Sequence, residues 1–138
     1  MKKKLNKLEG KKFVIDKAYL KNRIKEAKES IKEMERITSK SFMNLTIDEK
    51  YSLRYQIIVL VEAIGSICLH IAIENLNYEP ESYSECIKYL EKKGIITNVE
   101  DIIKIIRLRN LLIHRYWTID DFKIFESIKK NLKKLKIF

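Results

Sequence analysis

The residues able to do chemistry crowd into one stretch, Arg107-Leu108-Arg109-Asn110-Leu111-Leu112-Ile113-His114-Arg115-Tyr116-Trp117. It holds three guanidiniums, an amide, an imidazole and a phenol. That set suits phosphodiester chemistry, in which a guanidinium neutralises a developing phosphorane and an imidazole titrating near neutrality moves protons. Val99, Ile103, Ile106, Asn110 and Ile113 recur at spacings of 4, 3, 4 and 3. Asn110 therefore falls on the stripe expected to face a core, where a buried amide must find partners. His114, four residues on, lies about 40° away on the same face at about 100° per residue. Asn110 is thus placed to orient the imidazole or fix its tautomer.

Arg109 lies about 140° from His114 by the same count, so one copy converges poorly. Cleavage of RNA by its own 2′-OH also needs both a base and an acid. A twofold axis joining two such helix ends puts two copies of Arg109 and of His114 around one phosphate, so a homodimer with a composite cleft is expected. In that cleft His114 acts as base from one subunit and acid from the other, Arg109 neutralises the phosphorane, and Asn110 positions the ring. No carboxylate cluster stands near the segment, so neither a metal nor a cofactor is expected. The plain alternative is a surface salt bridge beside a polar helix cap. Another is a docking face in which Arg107, Arg109 and Arg115 meet an acidic partner.

Five helices are expected to hold this segment. The first runs from about Asp16, a plausible cap, to Ile37, with Leu20, Ile24, Ala27, Ile31 and Met34 as its apolar stripe. The second opens at Thr46-Ile47-Asp48-Glu49, a capping box, and runs to about Asn75, apolar nearly all round in its second half. Gly65 within it points to a close helix crossing. Asn77–Glu81, with Pro80, breaks the chain. Ser82-Tyr83-Ser84-Glu85 then caps a short third helix that ends at Lys92-Lys93-Gly94. Thr97-Asn98-Val99-Glu100 reads as a third capping box, opening the helix that carries the chemistry to about His114. Thr118-Ile119-Asp120-Asp121 opens the last, striped by Phe125, Ile128, Leu132 and Leu135. The fold class is all-α: an antiparallel four-to-five-helix bundle with the short helix over one end.

The composition agrees. The hydrophobic share is 46%, with 3 Gly and 1 Pro, which leaves little room for turns. Formal net charge is +10, but it is not spread evenly. Residues 1–12 hold six Lys against one Glu, residues 129–138 hold five Lys and no acid, and the stretch between balances 18 bases with 18 acids. The division expected is a basic N-terminal arm, 1–12, and a helical domain, 13–138. The arms either attract a polyanion such as RNA or simply solubilise the ends. Cys68 and Cys86 are distant in sequence and form no CxxC or Cys/His cluster, which argues against a zinc site or disulfide framework and suits a reducing cytoplasm. The N-terminus carries no apolar run of the secretory type. Residues 57–73, interrupted by Glu62, Ser66 and His70, read as a buried helix rather than the ~20 apolar residues of a membrane span.

Arg109-Asn110-(Leu-Leu-Ile)-His114-Arg115-Tyr116 resembles the R-x4-H-x-Y signature of HepT-like proteins in the HEPN superfamily. Further similarity lies in Arg54-Tyr55-Gln56 with Glu62-Ala63-Ile64, in Pro80-Glu81-Ser82-Tyr83 with Leu90 and Gly94-Ile95-Ile96, and in Tyr116 to Asp120, so that it covers roughly residues 16–135. The resemblance implies a helical bundle that dimerises to form a ribonuclease cleft. It also implies pairing with a minimal nucleotidyltransferase (MntA-type) antitoxin in a type VII toxin–antitoxin module. The antitoxin of such a pair transfers AMP to the motif tyrosine, here Tyr116. Seven residues from Arg109 is two helical turns, so AMP on Tyr116 would bring phosphate charge into the anion site and compete with RNA. The basic first dozen residues are no part of the family pattern. Glu62 is expected as a buried partner of Arg109 or Arg107, because a charge on so apolar a helix seldom stays unpaired. Arg54, Arg107 and Arg115 are supporting candidates, and His70 reads as a core or interface histidine. The expected activity is a cytoplasmic, metal-independent endoribonuclease. Its rival is a non-catalytic helical binding partner and substrate of a nucleotidyltransferase.

Overall fold

Asp16 turns the chain into α1 (Lys17–Thr38): its backbone is extended and its carboxylate accepts the Tyr19 N–H at 2.9 Å. A computed structural model describes residues 16–115 and 118–132. The expected basic arm, Tyr116, Trp117 and the residues after Leu132 lie outside these. The buried line of α1 is Leu20, Ala27, Ser30, Met34, Ile37 and Thr38, while Ile24 and Ile31 of the expected stripe are only half-buried. The stripe is thus rotated, because the Ser30 hydroxyl turns inward to donate to the Gln56 carbonyl at 2.7 Å.

After a short 3-10 turn, Phe42–Asn44, the capping box opens α2 (Ile47–Leu76), with Thr46 and Glu49 satisfying each other's backbone N–H. α2 packs against every other α-helix of the bundle. It is long and apolar enough to cross a membrane, yet 56% of its most apolar stretch is buried inside the protein. Asn77, in the left-handed conformation at φ 54°, ends it.

Ser82 caps α3 (Tyr83–Lys92) by accepting the Glu85 N–H at 3.1 Å. The reciprocal half of the box is altered, since the Glu85 carboxylate accepts from the Glu81 N–H and the Tyr78 hydroxyl instead. At the far end Gly94, at φ +73°, lets Ile95 N–H reach the Leu90 carbonyl and its own N–H reach that of Glu91. That pairing closes the helix, and the positive φ favours glycine there.

α4 (Val99–His114) departs from expectation at its start. Asn98, left-handed at φ 57°, occupies the cap and its side chain makes no cap bond. With the helix beginning at Val99, Glu100 is its second residue, so a box with Thr97 is out of register. α5 (Asp121–Leu132) likewise begins later than the Thr118 motif suggests. Asp120 accepts the Phe122 N–H at 2.9 Å, whereas the Thr118 hydroxyl donates to the Arg115 carbonyl at 3.3 Å.

Among the described residues the architecture is all-α, with no strand. α1 lies along α2, α3 and α4 pack together against it, and α5 bridges α1, α2 and α4. Met34, Ile37, Leu53, Ile57, Leu60 and Ile105 are sealed in the core, each worth about 1.5–3 kcal/mol when removed from water. Cys68 on α2 and Cys86 on α3, distant in sequence, are buried free thiols that hydrogen-bond to each other. That contact and burial push the Cys68 thiol well up, while the same bond lowers Cys86.

Candidate active site

The last turns of α4 carry Arg109, Asn110 and His114, and the neighbouring helices dictate what each can reach. The Arg109 side chain retains only 16% of its exposure. Its Nη2 donates to Glu62 Oε1 on α2 at 2.8 Å, and its Nη1 donates to Asn110 Oδ1 at 2.8 Å. The second Glu62 oxygen accepts from the Tyr83 hydroxyl at 2.8 Å. The guanidinium carbon lies 5.1 Å from the centre of the Tyr83 ring, within cation–π range. One carboxylate thus ties α2 to both α3 and α4.

Gly65 makes this arrangement possible. A Cβ at that position would stand 2.5 Å from Tyr83 Cζ, so the ring of α3 lies directly on the bare backbone of α2. The close approach expected at Gly65 is made by a side chain rather than by a crossing helix. Burial first, and then the hydrogen bond and negative charge of Glu62, push the Tyr83 phenol up to about 12. It remains a proton donor to the carboxylate at any physiological pH.

Beside the guanidinium opens a cavity of about 250 Å³ lined by Ser82, Tyr83, Ser84, Ile106, Arg109 and Asn110. Asn110, placed by the periodicity on the core stripe, is half-buried and forms part of this wall. Arg109 Nε is buried without a hydrogen-bond partner. A guanidinium can only donate, so the Asn110 amide must turn its oxygen to Arg109 and its NH2 the other way.

His114 is the final residue of α4 and is exposed. Among the described residues no hydrogen bond ties it to Asn110 or to Arg109. In the single chain, then, hydrogen bonds join Arg109, Asn110 and Glu62, and none of these bonds includes His114. Asn110 gives its oxygen to the guanidinium, and among the described residues no hydrogen bond joins its NH2 to the imidazole. Glu62 is the partner of Arg109 but not a buried one, its side chain being 49% exposed.

The supporting candidates divide. Arg54 is buried, donates from Nε to Asp121 Oδ1 at 2.7 Å and lies 5.5 Å from the Tyr51 ring centre, pinning the start of α5 to α2. Arg107 is exposed on another side of α4, in a shallow hollow with Lys88, Glu91, Glu100 and Lys104. Arg115 is the exposed C-cap, its N–H reaching the Leu111 carbonyl at 2.8 Å. His70 is half-buried between helices: its Nε2 accepts the Asp16 N–H at 3.2 Å and its ring meets that of Tyr19 at 5.1 Å. Among the described residues no group of three or more His, Cys, Asp or Glu stands ready to hold a metal ion.

The residue that motif reading missed is Tyr83. The available signal was Gly65, three residues after Glu62 on one face of an otherwise bulky helix, since such a gap implies something large lying on it. The family model described as Ribonuclease HepT-like matches residues 24–138, which include Glu62, Tyr83, Arg109, Asn110 and His114. No curated protein and no solved structure matches the chain.

Proposed function

The chain belongs to the HepT-like ribonuclease family, and on that premise we propose that it is a metal-independent endoribonuclease toxin of the cytoplasm whose reacting groups are Arg109 and His114. The observation that carries the reading is the preorganised guanidinium: Arg109 is fixed by Glu62 and Asn110, floored by Tyr83, and open to the adjoining cavity. A cation held so before substrate arrives needs little reorganisation as negative charge grows on a phosphorane.

Two chains supply the complete site. His114 of one subunit takes the proton of the ribose 2′-OH, the 2′-oxygen attacks phosphorus, and the bond to the 5′-oxygen breaks. The second copy of His114 protonates that leaving oxygen, giving a 2′,3′-cyclic phosphate and a 5′-hydroxyl. Arg109 from each subunit draws the phosphate in, exchanging part of its pairing with the half-exposed Glu62 for phosphate oxygens. The phenol on Glu62 keeps that carboxylate in place during the exchange. Arg54, Arg107 and Arg115 act outside the chemistry, Arg54 through the pairing that seats α5. A minimal nucleotidyltransferase partner silences the toxin by transferring AMP from ATP to Tyr116, releasing pyrophosphate and adding a phosphate charge that competes with RNA.

The test is cleavage of total RNA by purified protein. The parent is expected to leave 2′,3′-cyclic phosphate ends, to work in EDTA, and to spare substrates that lack the scissile 2′-OH. His114→Ala is expected to lower the rate by about 100- to 10,000-fold, the span of general acid–base catalysis, with helical content unchanged. Full activity in that variant refutes the assignment.

A further inference from the structure

Resting on the ribonuclease reading, we propose that the cavity beside Arg109 is a base-recognition subsite, which takes the nucleobase next to the bound phosphate and selects guanine and uracil, the bases with a carbonyl where adenine and cytosine carry an exocyclic NH2. The cavity adjoins the guanidinium directly, so a phosphate on Arg109 and a base in the hollow belong to one nucleotide. Its walls have the chemistry of a base. The Tyr83 ring and Ile106 offer apolar surface to the flat faces, and Ser82, Ser84 and Asn110 offer hydrogen bonds to an edge. At about 250 Å³ it is smaller than the ~300–1,000 Å³ of pockets for drug-sized ligands, which suits a single ring system.

Selectivity follows from which atoms remain uncommitted. Asn110 Oδ1 is taken by Arg109 Nη1, which fixes the amide and leaves both hydrogens of its NH2 as donors. The Ser82 hydroxyl oxygen accepts the Glu85 N–H and keeps its own hydrogen to give. Among the described residues the Ser84 hydroxyl has no hydrogen-bond partner. The Ser84 hydroxyl can give or accept, so the fixed NH2 of Asn110 is what tips the edge toward donors. It meets the O6 and N7 of guanine or the carbonyls of uracil, and it sets NH2 against the exocyclic NH2 of adenine or cytosine. A donor facing a donor leaves both unpaired, which is the costly case.

The experiment titrates GMP, UMP, AMP, CMP and inorganic phosphate into the parent and into Ser84→Leu, which fills the cavity, with Ser84→Thr as a milder second variant. GMP and UMP are expected to bind the parent about tenfold more tightly than AMP and CMP. In Ser84→Leu that preference is lost and GMP weakens about tenfold, while phosphate still binds. Equal affinity for all four nucleotides in the parent overturns the proposal. So does GMP binding at parental strength to a folded Ser84→Leu or, should that variant not fold, an unaltered preference in Ser84→Thr. The ribonuclease reading fails separately. A parent that binds guanine and uracil nucleotides selectively but never cleaves RNA keeps the subsite and loses the catalysis. One that cleaves with no base preference and binds all four nucleotides alike does the reverse.

Discussion

Replacing Gly65 by alanine sets two calculable effects against each other. In an exposed helix the change gains about 1 kcal/mol, because glycine loses more backbone freedom on folding. Here the new Cβ would stand 2.5 Å from Tyr83 Cζ and 2.6 Å from both neighbouring ring carbons. The ring must retreat by about 1 Å to regain ordinary van der Waals separation. Overpacking of this kind costs about 1–3 kcal/mol, so net stability is expected to fall by about 0–2 kcal/mol. Activity is expected to fall further, since Tyr83 floors Arg109 and holds Glu62. A displacement of about 1 Å at a positioned group costs about 100-fold in rate. Denaturant unfolding and kcat/KM on an RNA substrate read the two numbers independently. The double variant Gly65→Ala with Tyr83→Ala removes the clash, so its stability should exceed that of Tyr83→Ala alone by nearly the whole helix gain. A Gly65→Ala protein that is about 1 kcal/mol more stable than the parent and cleaves at the parental rate refutes the seating of Tyr83 as the support of Arg109.

Tyr83 and Tyr78 are both pushed up to about 12 from an ordinary 10.0, Tyr83 first by burial and Tyr78 first by its bond to Glu85. Because the folded values are raised, their contribution to stability is whole below pH 10 and is lost as pH climbs through about 12. Tyrosinate absorbance in an alkaline titration should show a late phase that shrinks in Tyr83→Phe, and an unchanged late phase contradicts the bond from Tyr83 to Glu62. Arg54→Met strips Asp121 of a partner between side chains 10% and 23% exposed. It should cost about 2–3 kcal/mol in denaturant unfolding, below the ~3–5 kcal/mol of a sealed pair, while kcat per folded molecule holds. Mixing the parent with His114→Ala should give heterodimers that keep one imidazole, lack either the acid or the base, and cleave no faster than His114→Ala itself. Confirmed heterodimers that keep half the parental activity would sink the composite cleft.

Much of the fold could be read because local chemistry and global packing agree over long stretches. The box at Thr46 and Glu49, the caps at Asp16 and Ser82, and the stop at Gly94 each satisfy backbone groups that any helix leaves orphaned there. The misreadings fall where two residues compete for one role. Thr97 and Asn98 are both capping types, and the left-handed backbone at Asn98 settles the start of α4 one residue later than the box allows. Thr118 and Asp120 compete in the same way, and the carboxylate takes the cap of α5. Cys68 and Cys86 illustrate a different limit, since sequence separation says nothing of two buried positions facing each other across α2 and α3.

The site was legible in its residue types and not in its wiring. Periodicity placed Asn110 and His114 on one face, and that geometry is sound, but it counts only angles within a single helix. What decides the wiring is a charge on another element. Glu62 draws the Arg109 guanidinium back over Tyr83, and a guanidinium with one donor on a carboxylate has another free for the nearest acceptor, which is Asn110. The amide oxygen is thereby taken, and only the NH2 is left for other partners. His114, five residues beyond Arg109 and at the exposed tip of α4, keeps its nitrogens for whatever approaches from outside. An exposed imidazole and a guanidinium held at Glu62 fit the composite cleft proposed above, in which a second copy of α4 offers both groups to the same phosphate.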